Sequence, residues 1–359
     1  MKSVLFITPS LGFAGAAKML SFVAEELNKR GHDVCIANLK ETTKGKPDER
    51  VVSQNILVKD ISNLGRKDQL CAIRKLAKER KTDIIIGFTE IPNLMARLVG
   101  LSLRIPSIMS ERGNPERTGV GKGVKNRIVL EIINRSRGGV FQTEGAKAFY
   151  GKGLQRRGVV IPNPIFVTGE LPNVAQHERE KSVVSVARLD NFQKRYDVML
   201  DAFKLFSDKH PDYVLKLYGK GSDEELIRSW VHDRNLDDKV LFPGLTKQPM
   251  QDTCRDGMFL ITSDFEGISN ALLEAMAAGL PCVSTDHTPG GARLLITDHE
   301  NGLLAPIQDP EALAKAMCEF AENPALAEKC GNNAKEVVNR FAPDRIIDQW
   351  ESYILKLTK

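Results

Sequence analysis

Short apolar runs rich in Val, Ile and Phe alternate along the chain with longer stretches whose apolar residues recur every three or four positions. Unbroken apolar runs of this length fit strands buried on both faces, and the wider spacing fits amphipathic helices. The pattern predicts strands over residues 3–7, 33–38 and 83–88, with helices over 16–30 and 68–80. A strand over 105–110, a helix over 125–136 and a short strand over 139–142 close the first series. The segment VVIPNPIFV, 159–167, then carries two prolines, and a polar stretch without periodicity runs on to residue 181, so a hinge is expected there. A second series follows: strand 182–187, helix 197–210, strand 213–218, helix 224–234, strands 240–242 and 257–262, helix 270–278, strand 281–284.

Alternating strands and helices imply parallel sheets, so the fold class is α/β with two doubly wound, Rossmann-like domains. The 359 residues suffice for two cores. Expected are a first domain over 1–165, a second over 166–340, and an amphipathic C-terminal stretch, 341–359, crossing back to the first. Ligands of such sheets bind beyond the carboxyl ends of the strands, and two such domains facing each other would enclose a cleft.

Composition narrows the classes. No run of about 18 apolar residues occurs, and the start, MKSVLFITPSLGF, has no small-residue cleavage site, which predicts a cytoplasmic protein. Cys35, Cys71, Cys254, Cys282, Cys318 and Cys330 are scattered singly, against a disulfide framework or a structural zinc site. The six histidines show no metal-ligand spacing, and there is no Asp-x-Asp pair, P-loop or G-x-S-x-G elbow. No metal and no cofactor are expected.

The net charge of +5 conceals an asymmetry: residues 1–170 hold 29 Lys+Arg against 16 Asp+Glu, and residues 171–359 hold 22 against 30. Within the basic half, residues 104–157 carry 12 Lys+Arg and 4 Glu, Arg117, Lys122, Arg127 and Arg135 among them. That density suits an anionic partner, phospholipid head groups or a phosphorylated acceptor, as well as it suits a solvated helix face. Nucleic acid is disfavoured, because aromatic residues barely interleave with these charges.

The richest segment chemically is DFEGISNALLEAMAAGLPCVSTD, 264–286. A loop with Glu266 and Gly267 follows a strand, and Ser269 or Asn270 can cap the helix after it. The helix N-terminus offers amides to anionic oxygens, and Gly267 permits close approach to the main chain. Glu274 lies one turn further, on the face of Asn270. The two glutamates could accept hydrogen bonds from a hexose and a ribose; the plainer alternative is a capping carboxylate and a solvated helix charge. A second segment, VVSVARLDNFQKRYD, places Arg188 at a strand end and Lys194 before a helix. Two such cations can neutralise a departing diphosphate; the alternative is a strand-end salt bridge and an exposed lysine. The loop SLGFAGAAKML, with Gly12 and Gly15, could touch a phosphate through its amides but is not the dinucleotide fingerprint.

These motifs together resemble the retaining glycosyltransferases of family four, whose fold is the two-domain GT-B arrangement. Glu266 and Glu274, with NALLEAMAAGLPCV, look like the family's glutamate pair; Arg188 and Lys194 match its phosphate-binding pair; NGLLAPIQDPEALA, from Asn301, is similar to the close of its second domain. The resemblance implies a donor site in the second domain: Glu266 at the transferred sugar, the amides of Gly267, Ile268 and Ser269 at its hydroxyls or the diphosphate, with Asn270 beside them. It further implies Glu274 at the ribose, Arg188 and Lys194 at the diphosphate, the backbone near Leu245 at the base, and Gly15 reaching the phosphates from the first domain. Ala14 stands where the family commonly has glycine. SERGNP, 110–115, resembles a cleft motif of relatives that build bacterial polysaccharides, with Arg112 where many carry histidine, so Glu111 and Arg112 are expected at the substrate.

The function so implied is transfer of a hexose or N-acetylhexosamine from a UDP-sugar to a lipid-linked glycan on the cytoplasmic membrane face. A UDP-sugar epimerase of similar architecture and an inactive nucleotide-sugar binding module are the competing classes.

Overall fold

The computed structural model describes residues 1–11, 15–40, 52–117, 123–167, 169–171 and 173–359. Gly12 and Ala14 of the N-terminal loop and Lys122 of the basic segment lie outside the described residues. The chain separates into two compact units, Met1–Pro164 with Pro343–Lys359, and Ile165–Ala342.

The first unit is a seven-stranded parallel sheet of β1 (Ser3–Thr8), β2 (Asp33–Asn38), β3 (Leu57–Asp60), β4 (Ile84–Phe88), β5 (Ser107–Ser110), β6 (Gly138–Phe141) and β7 (Val159–Val160), in the order β3-β2-β1-β4-β5-β6-β7. Every residue of β1 and β4 is buried, as an unbroken apolar run demands in a sheet covered on both faces. β1 pairs from Ser3↔Asp33 to Thr8↔Asn38 on one side and from Val4↔Ile84 to Ile7↔Gly87 on the other.

The helix Pro343–Leu357 packs on this unit. Its buried residues, Ile346, Ile347, Trp350, Tyr353 and Ile354, recur with helical spacing and join the core of Phe6, Leu20, Val23 and Phe88. Polar contacts fix its seat: the Tyr353 hydroxyl accepts from the Gly139 amide at 3.0 Å and donates to the Arg157 carbonyl. Arg30 meets Glu351 and Asp348 at 2.6 and 2.7 Å.

Several elements of this unit escape the sequence pattern, the short helices Glu144–Ala148 and Lys152–Arg157 among them. β3, LVKD, is a short edge strand with only one half-buried residue, so no apolar run marks it. β7 is two residues long and ends before the first proline of its segment. The helix Glu90–Leu103 contains Pro92, tolerated in a first turn where no intrahelical amide bond is lost.

The second unit is a six-stranded parallel sheet of β8 (Ser182–Val186), β9 (Val214–Tyr218), β10 (Val240–Gly244), β11 (Met258–Ile261), β12 (Cys282–Thr285) and β13 (Leu303–Ala305), ordered β10-β9-β8-β11-β12-β13. Phe203, Phe206, Leu215, Leu260, Met317 and Phe320 lie in the core on one side of the sheet, and Phe259, Leu272, Met276 and Leu295 in that on the other. In each sheet the strand order reverses once, between β1 and β4 and between β8 and β11. Such a switch point opens a crevice at the carboxyl ends of the strands.

Candidate functional site

The crevice of the second unit joins two segments far apart in sequence. After β8, Asp190 caps the short helix Asn191–Lys194 by accepting from the Phe192 amide at 3.1 Å. Arg195, in the left-handed region at φ 54°, turns the chain into the next helix, Tyr196–Lys209. After β11, the Thr262 hydroxyl donates to the Lys194 carbonyl at 2.8 Å, and the Asp264 amide donates to the Gln193 carbonyl at 3.0 Å. The Gln193 side chain returns a bond to the Phe265 carbonyl at 3.0 Å. Cross-loop bonds of this kind bring the Lys194 ammonium onto the Glu266 carboxylate in a direct ion pair. Both side chains are largely buried, 15% and 11% exposed, so the pair is weakly screened.

Other loops hold Glu266 in place. The Ser263 hydroxyl donates to its Oε1 at 3.0 Å, and its own amide donates to the Thr288 carbonyl at 2.9 Å. Asp264 accepts from Arg195 at 3.0 Å and from Gln308 at 2.8 Å. The loops after β8, β11, β12 and β13 thus form one network. His287, 1% exposed, lies in this network, and burial pushes its pKa below the ordinary imidazole value, with the Glu266 charge opposing. Gly291 meets the loop so closely that a Cβ there would lie 1.7 Å from the Gly267 carbonyl oxygen.

The remaining expected residues fall at separate places. Arg188 is exposed and pairs with Asp190 at 2.9 Å, not with Glu266. Ser269, rather than Asn270, caps the helix Asn270–Ala277, accepting from the Leu272 amide at 3.3 Å. The Ile268 side chain is buried in the core, Asn270 is exposed and Glu274 is half-buried one turn into the helix. Gly267 is buried, and Leu245, just after Gly244 at φ 88°, is 71% exposed. Sequence reasoning missed Ser263, Asp264, Gln193 and His287; the one available signal was their place in loops directly following predicted strands.

In the first unit, Gly15 opens the helix Gly15–Lys29. Glu111 and Arg112 line a cavity of about 330 Å³ with Lys40, Arg66, Thr89 and Glu90, beyond the carboxyl ends of β2, β4 and β5. Glu111 is buried, and its carboxylate accepts from the Tyr150 hydroxyl at 2.6 Å and from the amides of Arg112 and Gly113 at 2.9 and 3.0 Å. Burial raises its pKa, and these three bonds oppose the rise. The Arg112 guanidinium lies 5.3 Å from the Phe88 ring and donates to Ser110 Oγ at 2.9 Å. Burial lowers its pKa to about 9, which leaves it a cation at neutral pH. His210, Cys318 and Glu322, elsewhere in the second unit, bring ligand atoms within 4.8 Å of one another, a grouping their spacing in sequence did not suggest.

The fold is the two-domain GT-B arrangement. Residues 169–337 match the family described as glycosyl transferases group 1. It is 25% identical over 373 residues to an uncharacterized glycosyltransferase of Haemophilus influenzae, with 99% of this chain and 100% of the relative covered. It is also 24% identical to the GalNAc-alpha-(1->4)-GalNAc-alpha-(1->3)-diNAcBac-PP-undecaprenol alpha-1,4-N-acetyl-D-galactosaminyltransferase of Campylobacter jejuni, each covered to 99%. Among solved structures it is similar to Anabaena HepE in complex with UDP, at TM-score 0.83 and 17% identity, covering 99% of this chain and 100% of that one. The same protein in complex with UDP-glucose gives a TM-score of 0.80, also at 17% identity, covering 99% and 100%. Among the described residues no helix is long and apolar enough to cross a membrane.

Proposed function

We propose that the second unit holds a UDP-sugar, and that its hexose or N-acetylhexosamine passes with retained configuration to a lipid-linked glycan in bacterial surface polysaccharide assembly. The observation that carries this reading is the Lys194–Glu266 ion pair at the point where the strand order reverses. A cation and a carboxylate held together by their loops are prepared for a ligand that has both a diphosphate and hydroxyls. On donor binding the Lys194 ammonium exchanges the carboxylate for diphosphate oxygens, and Glu266 accepts hydrogen bonds from the sugar. Arg188 joins Lys194 in offsetting the charge that grows on the leaving group. Gly267, Ile268, Ser269 and Asn270 present backbone to the sugar or diphosphate, Glu274 holds the ribose, and the backbone at Leu245 meets the base. Gly15, at the start of its helix, offers its amide to a phosphate. Glu111 and Arg112 serve the acceptor side, Arg112 as a cation positioned by aromatic rings. Departure and attack on one face of the sugar then need no protein nucleophile.

The UDP complexes of HepE and the undecaprenol-linked substrate in the name of the Campylobacter jejuni relative support this reading. The helix Gly123–Asn134 exposes Val124 and Ile128 beside Lys125 and Arg127, which supports peripheral attachment to an anionic cytoplasmic membrane face. A screen of UDP-sugars scored by UDP release, with Glu266→Ala as control, tests the proposal. Release from one donor, abolished in the variant, is expected; no release from any donor with any glycan acceptor would sink it.

A further inference from the structure

At the other end of the first sheet a pocket of about 450 Å³ opens at the amino ends of three strands. Asp83, Pro106 and Arg137 line it, and they immediately precede β4, β5 and β6. Arg97 comes from the helix Glu90–Leu103, Arg104 from its left-handed C-cap at φ 58°, and Arg135 from the turn after the helix Gly123–Asn134. Four guanidinium groups therefore surround one hollow.

Their counter-charges are few. Asp83, the single carboxylate side chain among the lining residues, already accepts from the Ser3 amide at 2.8 Å and faces Lys2 at 4.0 Å. Arg135 meets Glu131 across an exposed helical turn at 3.4 Å. Arg97, Arg104 and Arg137 make no ion pair or side-chain hydrogen bond among the described residues. Burial and the nearby charges of Arg135 and Arg157 lower the pKa of Arg97, the mark of cations crowded without an anion between them. Guanidinium forks match the oxygens of phosphate, and several around one concavity suit a dianion.

We propose that this pocket binds a phosphate group, at a site separate from the donor crevice and independent of the reading given to it. The phosphate can be a free one or the head group of a lipid; Leu101, 62% exposed at the rim, would suit the latter.

The full chain, with UDP saturating, is titrated with inorganic pyrophosphate by calorimetry and sedimented with phosphatidylglycerol vesicles. Wild type is compared with R97Q/R104Q/R137Q and with the charge-matched control K67Q/K78Q/K152Q, whose lysines are all exposed. Pyrophosphate binding weakened about tenfold or more in the pocket variant but not in the control supports a free phosphate. Vesicle binding alone lost in the same pattern supports a lipid phosphate. Failure of both probes to bind wild type, or equal loss in the control, overturns the site. Should the pocket variant not fold, amide exchange in wild type decides: slowing over 90–104 on adding either probe supports the proposal, and no change with both overturns it. A failed donor site would leave these differences between variants intact.

Discussion

The guanidinium of Arg112 lies 5.2 Å from the ring of Trp350, which itself stacks on Phe88 at 5.8 Å. A loop residue beyond β5 is thereby fixed by a side chain from the last helix. Arg112→Lys keeps the charge but loses the planar fork, its bond to Ser110 and its stacking. Thermal unfolding is expected to show a loss of about 1–3 kcal/mol for Arg112→Lys and Arg112→Ala alike. Full stability in the lysine variant would show that charge alone suffices.

Lys194→Ala leaves the Glu266 carboxylate without its cation, held by the Ser263 hydroxyl in a largely buried place. A loss of roughly 3 kcal/mol is expected, much of it recovered in Lys194→Ala/Glu266→Ala, because removing both charges removes the unpaired one. Turnover is expected to fall about 100-fold or more in each single variant. Additive stability losses, or normal turnover in either variant, would contradict the pairing or the site.

Arg188 tests a different point. Its side chain is 63% exposed and, among the described residues, bound only to Asp190, so Arg188→Ala is expected to leave the melting temperature within experimental error. The donor KM should rise about tenfold, the scale of one charge-assisted contact. An unchanged KM would remove Arg188 from the diphosphate.

Gly291→Ala should move the Gly267 carbonyl, which lies 1.7 Å from where the new carbon would sit. UDP affinity is expected to drop about tenfold, in line with the sensitivity of bound ligands to small displacements. Gly290→Ala is the comparison: Gly290 has φ 92° but open space around it, so backbone strain of roughly 1 kcal/mol is expected without displacement of Gly267. Equal UDP affinity in the two variants would dismiss the steric account.

His287 predicts a pH dependence. Its folded pKa is below the ordinary 6.5, so below about that pH the unfolded chain binds a proton that the folded one resists. Stability is therefore expected to fall as the pH drops from about 6.5 toward the lowered value, and His287→Asn should flatten the slope there. Melting temperatures across that range check it; an unchanged slope in the variant would assign the acid sensitivity elsewhere.

Much of this was legible in the residues. Long apolar runs such as those of β1 and β4 mark strands because burial on both faces leaves no room for polar alternation. Glu266 and Lys194 stood out by residue type and by their place after strands. Their direct contact did not, because it depends on bonds from Thr262 and Gln193 that link the two loops in space. For Arg188, residue type and position allowed both a diphosphate contact and a strand-end salt bridge; the pair with Asp190 is such a bridge. His287 carried no signal beyond its place after a predicted strand, since one histidine in a loop acquires its character only from burial. The crowding of Arg97 with Arg135 was equally hidden, the two lying on separate segments.

Because Pro343–Lys359 belongs with Met1–Pro164, one unit is sewn from the two extremes of the chain. The ribosome therefore delivers all of Ile165–Ala342 before the helix that finishes the earlier half, reversing the usual first-made, first-folded order. During that interval the nascent N-terminal sheet has nothing from Trp350 or Ile354 to cover it. The core of this unit is complete only once the helix Pro343–Leu357 has emerged from the ribosome.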